Sequence, residues 1–173
     1  MKISFIVDYT DQSRMELARC LDSIDKQTEK DIETIVVGVD SDYMICAPDV
    51  FRAKGMALGE YLCVLPASAC LSPFFGEKML AMCKEHSTDS AICGWQETEK
   101  NTPLDRIPVP LMLYRAEKLT AEQLAENEIK DMGFNRLQRK RGKKDGDVAV
   151  TAEPLVFVTK SKKPQTGKTN HIH

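Results

Sequence analysis

Ile3-Ser4-Phe5-Ile6-Val7, then Ser13-Arg14-Met15-Glu16 leading into Leu17, Leu21 and Ile24, then Ile32-Glu33-Thr34-Ile35-Val36-Val37-Gly38-Val39: these three runs decide the fold. The first is short and continuously apolar, the pattern of a strand covered on both faces. Ser13 and Glu16 have the spacing of a capping box, in which a hydroxyl and a carboxylate each satisfy a backbone N–H at a helix start. The apolar residues that follow recur at helical spacing to about Gln27. The third run is β-branched and apolar, a second buried strand. A strand, a helix and a strand in that order form a right-handed parallel βαβ unit.

Outward from this unit, Asp40–Asp49 reads as irregular and Val50–Leu58 as a short helix. Glu60-Tyr61-Leu62-Cys63-Val64-Leu65 is another strand of the buried type. Pro73 suits the first turn of a helix running to about His86, with Phe75, Met79, Met82 and Cys83 on one face. Ser90–Gln96 is a further strand. Pro103, Pro108 and Pro110 mark a loop before Leu111–Tyr114. Thr120 and Gln123 form a second capping box, opening helical sequence that is broken near Gly133 and reaches about Arg141. Val148–Val150 and Leu155–Val158 read as a closing pair of strands. At 173 residues the chain is expected to be one domain over 1–160, with 1–96 its regular half and 97–160 its less regular half. Residues 161–173 read as a flexible basic tail.

Composition narrows the function. Hydrophobic content of 42% and charged content of 29% are those of an ordinary globular protein. No apolar run approaches the roughly 20 residues of a membrane helix. The N-terminal apolar stretch is too short for a signal-peptide core and ends in Asp8, so the expected location is cytoplasmic. Six cysteines contain no C-x-x-C pair, and His86, His171 and His173 complete no zinc spacing; reduced core thiols are expected. Thr166-Gly167-Lys168-Thr169 lacks the earlier glycine of a P-loop, where Lys162 stands. Charge is uneven: from residue 136 onward there are 10 Lys/Arg against 3 Asp/Glu, while the whole chain has net charge −2. Arg136–Lys144 holds six cations in nine residues, which suits an anionic membrane surface on the inner face or a solvated helix end. No aromatic residues interleave it, which argues against nucleic acid.

The order of these elements, with the wording around them, resembles the family 2 glycosyltransferases, which have the GT-A fold. Cys20-Leu21-Asp22-Ser23-Ile24 with Gln27-Thr28, then Asp31-Ile32-Glu33 entering Ile35-Val36-Val37, is similar to that family's first helix and second strand. Arg52-Ala53-Lys54-Gly55, Gly59-Glu60-Tyr61 and Leu71-Ser72-Pro73 are similar to the stretches around its metal site. The resemblance covers about residues 3–96. It implies an α/β, GT-A-like (Rossmann-like) mostly parallel sheet flanked by helices, with a reduced, irregular C-terminal half. It also implies a nucleotide sugar as ligand and transfer of the sugar to a saccharide or lipid-linked acceptor.

In open parallel sheets, ligands sit outside the carboxyl ends of the strands. The resemblance therefore assigns the nucleotide sugar to Asp8, Thr10, Asp40, Asp42, Arg52, Lys54 and Ser68. Asp131 or Glu128 would be the catalytic base that takes the acceptor's proton. Where the family carries an acidic pair after the second strand, this chain has Gly38-Val39, with Asp40 and Asp42 shortly beyond. Where the family carries Asp-x-Asp for Mn²⁺ or Mg²⁺, it has Pro66-Ala67-Ser68, so neither metal is expected as a cofactor. Two functions are compatible with this pattern. One is a metal-independent glycosyltransferase in which cations replace the ion. The other is an inactive relative kept as a binding or assembly module.

Overall fold

The computed structural model describes residues 1–9, 13–38, 46–97, 112–121 and 148–158. Eight strands form one sheet in the order β3-β2-β1-β4-β7-β6-β8-β5. They are β1 (Ile3–Asp8), β2 (Ile32–Val37), β3 (Cys46–Ala47), β4 (Tyr61–Pro66), β5 (Ala69–Leu71), β6 (Ser90–Glu97), β7 (Met112–Arg115) and β8 (Val148–Val158). Three helices flank it: α1 (Arg14–Asp25), α2 (Val50–Met56) and α3 (Phe75–Glu85). Strands β3, β2, β1 and β4 are parallel, whereas β7 runs antiparallel between β4 and β6. β8 is parallel to β6 and antiparallel to β5. The α/β class and the helix-flanked, GT-A-like sheet expected from the sequence are what the chain forms.

The βαβ unit is right for its stated reasons. Ser13 caps α1, with its hydroxyl accepting from Glu16 N–H at 3.3 Å and Glu16 Oε2 accepting from Ser13 N–H at 2.8 Å. Leu17, Cys20 and Ile24 then bury against Ile3, Phe5 and Val7 of β1 in one core cluster. A second cluster on the other face joins Ile6, Ile35 and Leu62 to Val50 and Ala53 of α2. The parallel strands are thus apolar in both directions because both faces are covered.

Four details differ from the sequence expectation. β3 and β5 are two and three residues long, too short for any periodicity to register. Pro73 precedes the N-cap of α3, Phe74, rather than opening its first turn. The two closing strands are one strand, β8, whose pairing with β6 shifts register around Gly94. A Cβ on Gly94 would stand 2.5 Å from the Ala152 carbonyl oxygen, so the bulge packs on the one residue without a side chain.

Phe74 offers no side-chain cap to α3. The cap comes instead from the residue just past the C-cap of α1. Gln27, fully buried, accepts from Gly76 N–H at 2.9 Å and donates to the carbonyls of Ser72 at 2.8 Å and Ser23 at 3.1 Å. Four residues earlier on the same helix face, Ser23 Oγ accepts from Leu71 N–H at 3.0 Å. Replacing Gln27 with leucine strands a buried N–H and two carbonyls. The expected cost is about 2–4 kcal/mol, read as a lower urea midpoint with unchanged slope.

Candidate functional site

Strands β1, β2, β4, β6 and β8 all point their carboxyl ends to the same edge of the sheet. At that edge Asp8, the last residue of β1, lies between Val37 of β2 and Pro66 of β4. Backbone hydrogen bonds lace the three ends together: Tyr9 N–H to Val37 O at 2.9 Å and Ala67 N–H to Asp8 O at 2.8 Å. Gly38 N–H reaches Ala47 O at 3.2 Å, tying in β3. Gly38 has φ +152°, a conformation open to glycine, and its α-carbon faces the Tyr9 ring, which a Cβ there would meet at 3.4 Å. Tyr9, half-buried, thus lies beside the residue that replaces an acid of the family pattern. Sequence reasoning passed over it in favour of the neighbouring acids. A single aromatic just past a strand end was the available signal.

Ala67 and Ser68 form the turn between β4 and β5. Ala67 is fully buried and Ser68 partly so. Pro66 and Ala67 bring no donor atom, and one hydroxyl is too weak a ligand set for a hard divalent cation. The residues at this turn do not fit Mn²⁺ or Mg²⁺. Among the described residues, no three His, Cys, Asp or Glu side chains gather in a metal-binding group.

Of the residues assigned from the sequence, Asp8 and Ser68 meet at this edge. Arg52 is exposed near the start of α2, and its guanidinium makes no ion pair among the described residues. Lys54, in the last turn of α2, donates its ammonium to the Leu119 carbonyl. Thr10, Asp40, Asp42, Glu128, Asp131, the Arg136–Lys144 cluster and the tail from 161 lie outside the described residues. The described chain also ends at this edge. Val158 pairs with both Glu97 and Ala69, the residue directly after Ser68. The sequence that continues from it is Thr159-Lys160-Ser161-Lys162-Lys163.

Cys20, Cys63 and Cys93 are not poised as nucleophiles. Burial pushes the Cys20 and Cys93 thiols up to about 12 and Cys63 well above its usual range. They are protonated packing residues.

Solved structures of S. aureus TarS are similar to this chain. TarS 1–349 in complex with UDP-GlcNAc superposes with a TM-score of 0.66 at 16% sequence identity, covering 94% of this chain and 60% of that one. The complex of TarS 1–349 with UDP gives 0.64 and 16%, covering 93% and 61%. This chain spans about 60% of the length of those structures. No protein-family model matches it, and no curated protein is similar in sequence. At this identity the likeness establishes the fold, which is glycosyltransferase-like.

The turn geometry yields a direct check. Pro66→Asp combined with Ser68→Asp should make nucleotide binding metal-dependent, seen as a melting-point rise with UDP that is a few degrees larger in Mn²⁺ than in EDTA. A folded double variant indifferent to Mn²⁺ would mean that this turn is not the counterpart of the family's metal site.

Proposed function

We propose that this chain binds a nucleotide sugar at the carboxyl ends of β1, β2 and β4 and transfers the sugar to an acceptor without a divalent metal, as a divergent family 2 glycosyltransferase. The observation that carries the reading is the convergence of Asp8, Tyr9, Gly38 and the Ala67–Ser68 turn at one laced edge. TarS, whose similar fold was crystallised with UDP and with UDP-GlcNAc, supports it.

In this reading the Tyr9 ring, packed against Gly38, forms the floor for the nucleotide base. The Asp8 carboxylate, with Thr10, Asp40 and Asp42, accepts hydrogen bonds from base and ribose. Arg52, by a bidentate contact, and the lysines that follow Val158 carry the charge of the diphosphate, whereas Lys54, assigned from the sequence, is spent on the Leu119 carbonyl. Cations already in place stabilise the departing diphosphate as its bond to the sugar breaks. The acceptor hydroxyl forms the new bond and gives its proton to Asp131 or Glu128. Arg136–Lys144 would hold an anionic membrane surface or a lipid-linked acceptor close to the site. Among the described residues no helix is long and apolar enough to cross a membrane, so any such contact would be peripheral.

The second reading, a binding module without turnover, is favoured by one feature: Ala67 is fully buried where a metal-ligating turn would expose a carboxylate. Melting curves with UDP, GDP, CDP and UDP-GlcNAc, each in EDTA and in Mn²⁺, address both. A ligand at about ten times its Kd adds roughly 1.4 kcal/mol, a shift of a few degrees. The expected result is a shift for one nucleotide that is equal in EDTA and Mn²⁺ and is lost in Asp8→Asn. Release of free nucleotide from the sugar donor then separates a transferase from a module that only binds. No shift at millimolar ligand contradicts the transferase and leaves the inactive assembly module standing.

A further inference from the structure

Lys54, assigned from the sequence to the diphosphate, stands at the wrong end of its helix for that role. α2 begins just past the carboxyl end of β3 and leads to the start of β4, so its last turn is the one farthest from the crevice. There the Lys54 ammonium donates to the carbonyl of Leu119. Leu119 ends the single 3₁₀ turn Ala116–Lys118, where the last carbonyls have no partner inside the turn. Its side chain is buried among Val50 and Ala53 of α2, Ile35 of β2 and Leu62 of β4. Thr120 is exposed, and the backbone has turned helical at Ala121, where the capping box of the sequence places a helix start. Leu119 is thus the last buried residue described before Glu128 and Asp131.

Leu119 follows a strand end at the margin opposite the crevice. Arg115 of β7 pairs with Tyr61, the first residue of β4, and Ala116 N–H takes the Glu60 carbonyl at 2.8 Å. The chain re-enters the sheet at that same margin, because Val148 of β8 pairs with Ser90, the first residue of β6. Residues 122–147 therefore leave and return on one side, and the farthest point such an excursion reaches is near its middle. Gly133, where the helical pattern of the sequence breaks, stands close to that middle. From Tyr61 to Pro66 the sheet is about 17 Å deep. Glu128 and Asp131, nine and twelve residues past Leu119, lie about 14 and 18 Å along a helix that starts there. Ala125, Ile129 and Met132, at i, i+4 and i+7, give that helix one apolar face. α2 has apolar surface to receive it: Phe51 and Met56 are 44% and 45% exposed, and open space lies outside Gly55 between them.

We propose that Lys54 is a positioning residue. Its hold on the Leu119 carbonyl sets where the next segment starts, so that a helix laid antiparallel along α2 brings Glu128 or Asp131 to the crevice margin. The inference rests on the reading of that margin as a sugar-transfer site with one of these acids as its base. Lys54 acts through Leu119 and touches neither the diphosphate nor the acceptor.

Two variants of the full chain test it. Lys54→Met keeps the aliphatic stem and removes the donor, whereas Lys54→Arg keeps a donor. Hydrogen–deuterium exchange at Thr120–Asp131 should run at least about threefold faster in Lys54→Met and return to the wild-type rate in Lys54→Arg. Exchange at Tyr9, Gly38 and Ala67 should not change. The melting-point rise with UDP in EDTA should be the same in all three proteins. Release of UDP from UDP-GlcNAc, with water as acceptor, should show kcat lowered at least about tenfold in Lys54→Met, KM within about twofold, and recovery in Lys54→Arg. Exchange at Thr120–Asp131 indifferent to Lys54→Met overturns the proposal. So does a UDP shift lost in that variant, or a KM that rises while kcat holds. A wild type that neither shifts with UDP nor releases it ends the transferase reading instead, and the exchange result alone then decides whether Lys54 holds the segment.

Discussion

The side-chain amide of Gln27 is buried completely and uses both its ends, and the position of everything after β4 depends on it. An unmet buried amide would cost several kcal/mol, so the three groups it serves must stand where it can reach them. Those groups are the last turn of α1, the Ser72 carbonyl and the first turn of α3. Thr28 extends the same seam, its N–H taking the Pro73 carbonyl at 2.8 Å and its hydroxyl donating to Glu77 at 2.7 Å. Gly76 packs closely here: a Cβ would stand 3.1 Å from Ile3 Cδ1, which would have to shift by a few tenths of an ångström. A parallel constraint acts at the start of β4. Gly59 approaches Ser4 so closely that a Cβ would lie 2.5 Å from its nitrogen and hydroxyl. Ser4 Oγ in turn accepts from Gly59 N–H at 2.8 Å.

These constraints hold the turn after β4 in place by backbone and buried side-chain bonds alone. The turn after β4 is fixed on one side by Ala67 N–H on the Asp8 carbonyl and on the other by Leu71 N–H on Ser23 Oγ. None of these bonds involves a side chain at positions 66 to 68. The fold can therefore keep its outline whichever side chains stand at positions 66 to 68. Shape and chemistry are separable at this turn, and that is why a glycosyltransferase-like fold coexists with a turn that cannot bind Mn²⁺.

The same separation explains what the sequence revealed. The phrases that carried the family resemblance, Ser23 with Gln27-Thr28, Gly59-Glu60-Tyr61 and Leu71-Ser72-Pro73, are the residues that make these structural bonds. Glu60 and Tyr61 both engage Arg115, at 2.8 Å and 2.9 Å, pinning β4 to β7. The fold was legible because its requirements are local: a capping box, buried β-branched runs, and glycines where two backbones touch. The short strands β3 and β5 were not, since a two- or three-residue strand takes its shape from its neighbours. The packing of Tyr9 on Gly38 was not legible either, since the two lie across a strand boundary and 29 positions apart. The continuity of β8 was hidden by Pro154, which reads as a break in sequence but falls at the register shift opposite Gly94.

The central claim is that the edge formed by β1, β2 and β4 is a nucleotide-binding crevice that needs no metal. Hydrogen–deuterium exchange of the full chain in EDTA, with and without saturating UDP, tests it most directly. Slowed exchange at Tyr9, Gly38 and Ala67–Ser68, with the α3 and β8 flank unchanged, is the predicted result. Protection confined to that flank, or protection that appears only when Mn²⁺ replaces EDTA, would contradict it.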